Sequence, residues 1–586
     1  MRTNAVFGDP SARLSVSARM RLAADRRLGV GNFLDRTLSV APAPDRPYLW
    51  AQDPADPGRS QPLSLLRLRE IRDGYASWYH AAGVRAGDPV GVYCAEGIPS
   101  FLHFLGLNAL GAVPTLVNGR MDPVIAARYL DRVGVRGIVT TPERRRALTA
   151  AGPAPGFLAE DADLPTTRSA GDRLPVVYPY PHADRDPVML CHTSGTTGLP
   201  KATMFGHRQF FLGKRHRLWR FPAGPGDRML SALPHSHSAG ISYLMTATLR
   251  GLPTWVMSDL SGPAVVAAMG AVRPTVVVAF PQTYAELAHL DLDRRATADV
   301  HTWINTGDSA HEAHIRALVR HGHRPDRRGS RPGSRFIDGL GSSEMGMALF
   351  TRVSEPETSE YGRCVGRPIG IVRRAVVLDE DNRELGPGTP GRLGVRTPTV
   401  TPGYWNDTAL TQRSMFSGYW LTGDVVRRDE AGRFFHLDRV PDVIHTLDGP
   451  VYSLPMEEAV LAGCPEVADC AVVAVPDGPV SVPYATVVLR PGVTPPVDPT
   501  SAVNAALSAR GLARVAGARV ATGPDDFPTG PTGKVLKRNL REHLAGLLGG
   551  PAADGSRPSA VRTGGPAADR TSRAPIRAGD QTEGTP

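Results

Sequence analysis

The sequence predicts an α/β protein with a large layered N-terminal domain and a small, mobile α+β C-terminal domain. Its 586 residues exceed the length that one hydrophobic core usually organises, so more than one domain is expected. Strand-like and helical segments alternate through most of the chain, which is typical of a sheet covered by helices. We therefore predict a mobile leader at 1–30, an N-terminal domain at 31–438, a C-terminal domain at 439–548 and a disordered tail at 549–586.

Composition excludes several classes of protein. A hydrophobic content of 41% and a charged content of 21% are typical of a soluble globular protein. The net charge is +10, but the arginines are scattered and aromatic residues make up only 6%, so we expect no nucleic-acid partner. The longest apolar stretch, 102–117, is interrupted by polar residues and is too short for a membrane span. Five cysteines without a CxxC pair, and no secretory pattern, predict a cytoplasmic protein with reduced thiols.

The first half of the large domain alternates between helix and strand. An apolar period of 3.6 residues that ends at a glycine predicts a helix over Leu63–Gly83. Apolar runs predict strands at Val90–Cys94, Val113–Val117 and Val135–Thr140, with a helix through Leu110 after the first of them. This order predicts a layered α/β sheet.

Further strands lead into polar turns. Apolar runs predict strands at Val188–Leu190 and Thr275–Phe280. Two more, Trp303–Asp308 and Phe336–Glu344, each pass from an apolar strand into a polar turn that contains glycine. Open α/β sheets bind ligands at such strand ends, so we expect the ligand site there.

Glycine and proline become frequent after Leu385, where Gly388–Gly394 predicts a hairpin and Asp429–Gly432 a turn. We place the domain boundary near Arg439–Asp442. The predicted small domain then contains, in order, helix Pro455–Gly463, strands Ala471–Val475 and Ala485–Leu489, helix Ser501–Arg510 and a last helix that ends at Leu548. The tail is rich in Gly, Pro, Ala and Arg and cannot bury enough apolar surface to fold.

One loop has the composition of a phosphate site. Glycines allow backbone N–H groups to approach an anion, hydroxyls donate to it, and a lysine neutralises it. The spacing is not that of a Walker loop. From these residues alone, phosphate binding and a plain connection between strands stay equally open. The loop follows the strand at Val188–Leu190 and comprises Thr193, Ser194, Gly195, Thr196, Thr197, Gly198, Leu199, Pro200 and Lys201.

With four other motifs in the same order, this loop resembles the adenylate-forming enzymes: acyl- and aryl-CoA synthetases, peptide-synthetase adenylation domains and firefly luciferase. The resemblance covers about residues 31–548. The motifs are Thr193–Lys201 for the phosphate loop, His237–Gly240 for the His-x-x-Gly gate, Gly341–Glu344 for Gly-x-Thr-Glu, Leu421–Asp424 for Thr-Gly-Asp, and Pro528–Lys534 for the loop with the catalytic lysine.

The resemblance implies an ATP-dependent acid ligase. Such an enzyme couples a carboxylate to the α-phosphate of ATP, releases pyrophosphate and passes the acyl group to a thiol, most often CoA. The implied partners are a small organic acid and CoA or a carrier protein, and the implied cofactors are ATP and Mg²⁺. Negative charge builds up on phosphate oxygens in the transition state, so preorganised donors and cations are required.

The resemblance also implies a role for each site residue. The hydroxyls and glycines of 193–198, with Lys201, would hold the pyrophosphate end. Lys534 would bridge the acid and the α-phosphate, and His237 would gate the acid pocket. The remaining assignments are Glu344 for Mg²⁺, Ser343 for the α-phosphate, Asp424 and Arg439 for the ribose, and Asp308 and Asp338 for the adenine.

Three positions depart from the family pattern. Pro441 occupies the pivot on which the small domain rotates between the two half-reactions, and its ring fixes φ. Leu447–Asp448 aligns with a Gly-Gly that lets the arm of CoA pass. Leu340 replaces the aromatic residue that stacks on adenine. Adenylation therefore looks intact, whereas thiol transfer is in question.

These departures leave alternatives to CoA ligation. In the second interpretation, the enzyme forms the adenylate of a carboxylic acid or of an inorganic acid such as nitrite. This adenylate then passes to an amine or a hydroxyl instead of CoA. A third reading is a catalytically retired member that binds nucleotide. Among residues outside the motifs, His311, His314, His321 and His323 do not have the HExxH spacing of a zinc site, and we interpret them as a solvated helix face.

Overall fold

The computed structural model describes residues 12–54, 56, 58–151, 155–169, 171–193, 199–326 and 329–548. None of the helices in these ranges has the length and apolar composition that a bilayer span would need. The helices are α1 Val16–Ala24, α2 Phe33–Leu38, α3 Leu65–Ala81, α4 Pro99–Ala109, α5 Pro123–Val133, α6 Pro142–Ala151, α7 His207–Arg220, α8 Ser238–Arg250, α9 Gly262–Val272, α10 Pro281–His289, α11 Arg294–Thr297, α12 Glu312–Val319, α13 Thr408–Arg413, α14 Ser453–Gly463, α15 Pro499–Ser508 and α16 Lys537–Leu547.

Strands account for most of the remaining regular structure. They are β1 Pro47–Gln52, β2 Ser60–Ser64, β3 Pro89–Tyr93, β4 Val113–Leu116, β5 Gly137–Thr140, β6 Leu158–Glu160, β7 Pro187–Thr193, β8 Lys201–Gly206, β9 Met229–Ala232, β10 Thr254–Val256, β11 Val276–Ala279, β12 Thr302–Asn305, β13 His323–Asp326, β14 Gly329–Pro332, β15 Arg335–Asp338, β16 Phe350–Ser354, β17 Cys364–Pro368, β18 Arg374–Leu378, β19 Gly391–Arg396, β20 Met415–Phe416, β21 Tyr419–Arg428, β22 Phe434–Arg439, β23 Ile444–Thr446, β24 Gly449–Val451, β25 Val467–Asp477, β26 Val480–Leu489 and β27 Gly517–Val520.

Two large sheets and a two-stranded sheet of β13 and β14 form the described part of the large domain, which confirms the predicted layered α/β class. The larger sheet has 14 strands in the order β18-β19-β21-β22-β17-β16-β15-β12-β11-β9-β10-β1-β2, with β20 beside β21. The second sheet has six strands in the order β6-β5-β3-β4-β7-β8. One cluster of buried residues joins them, from Val90 and Val188 of the smaller sheet through Phe101 of α4 to Val276 and Val278 of the larger.

The predicted polar turns lie at one edge of the larger sheet. Strands β9, β11, β12 and β15 are parallel neighbours. Because parallel strands point the same way, the turns that follow β11, β12 and β15 meet at their common carboxyl edge. These turns carry Phe280, Asp308 and Gly339.

The predicted mobile leader is wrong for residues 12–30. Ala18 and Leu22 of α1 are buried, and the Leu14 N–H donates to the Arg250 carbonyl. The Arg19 guanidinium donates to the Leu218 carbonyl at 3.1 Å. The sequence lacks a continuous apolar segment here because only one face of α1 packs on the large domain. Residues 1–11 and the predicted tail at 549–586 lie outside the described residues.

The small domain has its own core. A sheet of β25, β26 and β27 packs against α14 and α15 on one face and α16 on the other. Its main cluster of buried residues begins at Ile444, five residues after β22 ends in the larger sheet. This is the small α+β domain that the sequence predicts.

A buried carboxylate links the two domains. Glu458 of α14 is hydrogen-bonded to His311 Nδ1 at 2.7 Å and to the Glu312 backbone N–H at 2.5 Å. Arg363 Nη1 lies 3.6 Å from the same carboxylate. Burial acts to raise the pKa of Glu458, but His311 and Arg363 outweigh it and lower the pKa to about 2.

Prediction of a solvated histidine face is therefore wrong for His311 and His314. Helix α12 packs against α14, so His311 faces Glu458 and His314 is buried beside the ring of His289. His289 is in turn hydrogen-bonded to the Ala468 carbonyl of the small domain. The local sequence cannot distinguish a helix face that packs on another domain from one that faces solvent. Here the packing partner, Glu458, lies more than 140 residues after His311 in the chain.

Replacing Glu458 with glutamine is expected to lower the free energy of unfolding at pH 7 by about 3 kcal/mol, because His311 and Arg363 lose a buried carboxylate. The folded-state pKa of Glu458 lies below its unfolded value of about 4.3. Its contribution is thus present above pH ~4 and is lost as pH falls towards 2. Urea unfolding of both proteins from pH 7 to pH 3 checks this. A stability difference that does not shrink over the acidic range would contradict it.

Candidate active site

Two ends of the predicted phosphate loop pair across a hairpin. Thr193 ends β7 and Lys201 begins β8, and the two are direct partners in the antiparallel register. Lys201 Nζ lies 5.3 Å from the centre of the Tyr404 ring. Burial lowers the pKa of Lys201, while Glu344 acts to raise it. Residues Ser194, Gly195, Thr196, Thr197 and Gly198 lie outside the described residues.

Glu344 lies beside this hairpin. Its Oε1 accepts hydrogen bonds from Tyr404 Oη at 2.9 Å and from Thr193 Oγ1 at 3.4 Å. Both hydrogen bonds that the described residues make to the carboxylate end on Oε1, so Oε2 is available to a cation. One carboxylate fits Mg²⁺, which usually completes its octahedron with water and substrate phosphates.

Asp424 and Arg439 meet across neighbouring strands. They are register partners in β21 and β22, and Arg439 Nη1 lies 3.2 Å from Asp424 Oδ1. Asp424 is buried, which acts to raise its pKa, but Arg439 and His436 hold that pKa below its usual value. The carboxylate is therefore ionised at neutral pH. Asp424 raises the pKa of Arg439 most, burial acts to lower it, and Glu344, Asp308 and Asp442 add smaller increases.

The small-domain loop brings Lys534 to this group. Lys534 Nζ lies 3.1 Å from Asp308 Oδ2, and Lys534, with His436 and Arg363, keeps the pKa of Asp308 low despite its burial. Gly533 has φ +79°, and a Cβ at that position would lie 2.7 Å from Cβ of Gln282 in α10. The loop thus needs a glycine to approach the large domain so closely.

His237 caps a helix at the same edge. Its Nδ1 accepts the Ala239 N–H at 3.1 Å at the start of α8, and its ring meets Phe280 edge-on at 5.2 Å. Burial, with smaller effects of His192 and Lys534, lowers the pKa of His237 to about 3. Burial likewise lowers the pKa of His192 to about 4 and that of His235 to about 3. The imidazoles are neutral at physiological pH.

Two predicted site residues lie deeper. Asp338 Oδ1 accepts Asn305 Nδ2 at 2.7 Å, and burial raises the pKa of Asp338 to about 6. Ser343 is also buried, in the turn that carries Glu344. Asp308 pairs with Lys534, and Asp338 pairs with Asn305. The described residues thus give both predicted adenine ligands a protein partner.

The three departures from the family pattern have different surroundings. Leu340 is buried in the core beneath β16. Pro441 lies in a short 3₁₀-helix, where its carbonyl accepts Arg541 Nη1 at 3.3 Å and Asp442 pairs with the same arginine at 2.8 Å. Leu447 is 83% exposed at the turn between β23 and β24. Arg541 thus ties the predicted pivot to α16 of the small domain.

A cavity of about 220 Å³ lies next to the lysine loop. Its walls come from the turns after β3 and β4 of the smaller sheet, the ends of β9 and β11 of the larger sheet, α10, and Pro531–Gly533. Three of its lining side chains are charged: Glu96, Arg120 and Glu286. The Glu286 carboxylate already accepts hydrogen bonds from the Gly262 N–H at 2.6 Å and from Gln282 Nε2 at 3.3 Å. Sequence reasoning missed all three, together with Tyr404 and His192. The only local signal for Glu96 and Arg120 is their position just after two predicted strands.

One group of possible metal ligands lies elsewhere in the described residues, formed by Cys94, His103 and Asp161. Both ring nitrogens of His103 are already used, by Tyr79 Oη at 2.8 Å and Asp161 Oδ1 at 2.7 Å. We interpret this group as a buried hydrogen-bond network of the core.

Comparison with known proteins agrees with this geometry. The family described as "AMP-binding enzyme" matches residues 38–405, and "AMP-binding enzyme C-terminal domain" matches residues 457–534. The chain is 41% identical over 561 residues to the 3-aminoavenalumate diazotase of a Streptomyces species, covering 91% of this chain and 99% of that protein. It is 29% identical to the sulfoacetate–CoA ligase of Cupriavidus necator, covering 85% and 95%.

A solved structure has the same fold. The anthranilate CoA ligase AuaEII in complex with anthranoyl-AMP superposes with a TM-score of 0.72, covering 89% of this chain and 98% of that one. At 19% identity this likeness concerns the fold alone. The two domain matches cover most of the chain, in the order that the motifs predict. The chain therefore belongs to the AMP-binding enzyme family and is an ATP-dependent, AMP-forming adenylating enzyme.

Proposed function

We propose that this enzyme adenylates nitrite and uses the adenylate to diazotise the amino group of an aminoaryl carboxylic acid. The observation that carries this proposal is the 41% identity to a diazotase along 99% of that protein's length. The three departures from the family pattern leave open an adenylate of nitrite and an amine as its acceptor. Both fit a relative that is named as a diazotase. CoA ligation is the competing function, because the sulfoacetate–CoA ligase is also a full-length relative.

The proposed reaction has two halves. An oxygen of nitrite attacks the α-phosphate of ATP, and pyrophosphate leaves, which yields a nitrosyl adenylate. The lone pair of the arylamine then attacks the nitrosyl nitrogen, so an N–N bond forms and the N–O bond to AMP breaks. The resulting nitrosamine rearranges to a diazohydroxide, which takes up a proton and loses water to give the diazonium ion.

The site residues would serve the first half. Lys534 would neutralise charge between nitrite and the α-phosphate, since its Nζ stands at Asp308 on the sheet edge. Asp424 and Arg439 would bind the ribose, and Ser343 the α-phosphate. Thr193 and Lys201, with 194–198, would bind the pyrophosphate end. Glu344 would hold Mg²⁺, which supplies charge neutralisation at the phosphates, and His237 would line the acceptor side as a neutral imidazole.

One feature supports an acceptor other than CoA. The buried Glu458 holds α14 of the small domain to the large domain. An amine that enters beside Lys534 needs no rotation of the small domain, whereas the thiol of CoA does in enzymes with the family's pivot. We further propose residue 439 as the domain boundary and the cytoplasm as the location, where ATP and Mg²⁺ are available.

Oxygen-labelled nitrite tests the proposal. The enzyme is incubated with ATP, Mg²⁺, 3-aminocinnamic acid and ¹⁸O-nitrite. The mass of the released AMP is then measured by mass spectrometry. One ¹⁸O atom in AMP and a diazonium product are expected, because the nitrite oxygen stays on the phosphate. If the label instead comes from an ¹⁸O-carboxylate, and added CoA yields a thioester, the enzyme is an acyl-CoA ligase and the proposal is wrong.

A further inference from the structure

We call the Glu96 side of the cavity next to Lys534 its inner end, because Glu96 Oε2 is buried, and the exposed Arg120 its outer end. Glu96 accepts hydrogen bonds on Oε1 from the Gly119 N–H at 3.1 Å and from Ser236 Oγ at 3.0 Å. Ser236 directly precedes His237, whose imidazole feels the charge of Lys534. The Ser236 hydrogen bond thus joins Glu96 to the segment that carries His237.

One oxygen of Glu96 is left over for a ligand. Oε2 is buried from solvent, and no atom of the described residues forms a hydrogen bond with it. A buried carboxylate oxygen without a partner is costly, so the site is completed by a donor that enters the cavity. Burial raises the pKa of Glu96, although Gly119, Ser236, Arg120 and, least, the backbone of His235 act to lower it. The carboxyl group thus takes up a proton more readily than an exposed glutamate does.

Arg120 stands at the outer end. Its side chain lines the cavity and is exposed, and among the described residues Arg120 forms one hydrogen bond, from its backbone N–H to Asn118 Oδ1 at 2.8 Å. Within the described ranges its guanidinium pairs with no carboxylate. A guanidinium is a planar donor that binds a carboxylate through two parallel hydrogen bonds.

We propose that this cavity binds the aminoaryl carboxylic acid lengthwise, with its amino group on Glu96 and its carboxylate on Arg120. Glu96 and Arg120 carry opposite charges in one cavity, and the third charged lining group, Glu286, is already engaged by the Gly262 N–H and Gln282. This pair matches a ligand that has a donor at one end and an anion at the other. The amine then faces the lysine loop, where Thr532 and Gly533 form the wall. This inference rests on the proposed diazotisation for its chemistry, but not for its binding geometry.

Glu96 also has a place in the proton transfers. When the amine nitrogen attacks the nitrosyl group, one N–H proton passes to the Glu96 carboxylate as AMP leaves. The protonated Glu96 then gives this proton to the hydroxyl of the diazohydroxide, which departs as water. The same group is thus base and then acid, and no external proton carrier is needed. A raised pKa suits both steps.

Binding measurements test the orientation without relying on turnover. Calorimetry compares 3-aminocinnamic acid with cinnamic acid, which lacks the amine, and 3-vinylaniline, which lacks the carboxylate. Arg120→Gln is expected to raise the Kd of 3-aminocinnamic acid about 10- to 100-fold and to leave that of 3-vinylaniline nearly unchanged. Equal losses for both ligands, or no loss for either, would overturn the role of Arg120.

Glu96→Gln tests the inner end in the same way. In this variant the Kd of 3-aminocinnamic acid is expected to rise relative to the wild type, and the Kd of cinnamic acid is expected to stay the same. Its diazotisation rate should fall by about 10²–10⁴-fold, while nitrite-dependent exchange of pyrophosphate into ATP persists. Glu360→Gln, the same change on an exposed side chain paired with Arg433, is the matched control. Unchanged diazotisation in Glu96→Gln would overturn the role.

The proposed function has a separate readout. Wild-type enzyme that shows no nitrite-dependent pyrophosphate exchange is no diazotase, whatever the variants do. The calorimetric comparison still decides the orientation in that case. Selective losses of affinity at each end would support the binding geometry, and uniform losses would refute it.

Discussion

Replacing Lys534 with alanine is expected to slow substrate-dependent exchange of pyrophosphate into ATP by at least about 10²–10³-fold, the usual effect of removing one electrostatic contact to a transition state. The melting temperature should barely change. The ammonium is half-exposed and pairs with Asp308 at 3.1 Å, and such pairs contribute about 0–1 kcal/mol to the free energy of unfolding. Exchange assays and calorimetric melts of the same preparations check both parts.

Arg374→Ala is the matched control for Lys534→Ala. It removes an exposed cation that pairs with Glu384 far from the site, and it should leave both exchange and melting intact. Exchange at the wild-type rate in Lys534→Ala would contradict the catalytic assignment. A large fall in melting temperature would show instead that the lysine holds the two domains together.

The scarcity of lysine strengthens this expectation. Of the 67 lysines and arginines in the chain, only four are lysines, and two of these are Lys201 and Lys534. The guanidinium of arginine is larger than the ammonium of lysine, planar, and delocalises its charge. It therefore cannot replace a compact ammonium at a crowded phosphate. Lys534→Arg should therefore also be impaired, although it keeps the charge.

Local signals were sufficient for much of the fold. The strands at Val90, Thr275 and Trp303 were predictable because each is a short apolar run between polar or glycine-rich turns. The carboxyl edge followed from their parallel order. Glu344 and Asp424 were identified as site residues through the resemblance of their motifs to the adenylate-forming enzymes, and their roles stay predictions.

Contacts between distant segments were not predictable. The sequence of α1 resembles a polar leader because it has few apolar residues. The surface that this N-terminal segment contacts lies near Arg250, far away in the chain. His314 reads as solvated because the small domain that buries it lies over 100 residues later. Glu96 and Arg120 belong to no sequence motif. The cavity that they line is formed by two sheets and the lysine loop, which are distant in the chain, so no characteristic residue spacing marks it. Such residues become visible only when the elements are assembled.

Replacing Asp424 with alanine or asparagine is expected to raise the KM for ATP about 10- to 100-fold, as the loss of hydrogen bonds to a charged group would. The pKa of Asp424 lies below its usual value, mainly because Arg439 and His436 outweigh its burial, so the carboxylate offers two acceptor oxygens at neutral pH. Asparagine keeps the shape of the side chain but only one acceptor oxygen. Initial rates against ATP concentration measure the effect.

A nucleotide without ribose hydroxyls separates recognition from stability. Wild-type enzyme should discriminate strongly against 2′,3′-dideoxy-ATP, and Asp424→Asn should have lost most of that discrimination because the carboxylate no longer receives both hydroxyls. Asp381→Asn, the same change at an exposed pair with Arg383, should discriminate as the wild type does. If Asp424→Asn still distinguishes the two nucleotides fully, Asp424 acts through Arg439 and not on the ribose, since the loss of affinity would then be independent of the hydroxyls.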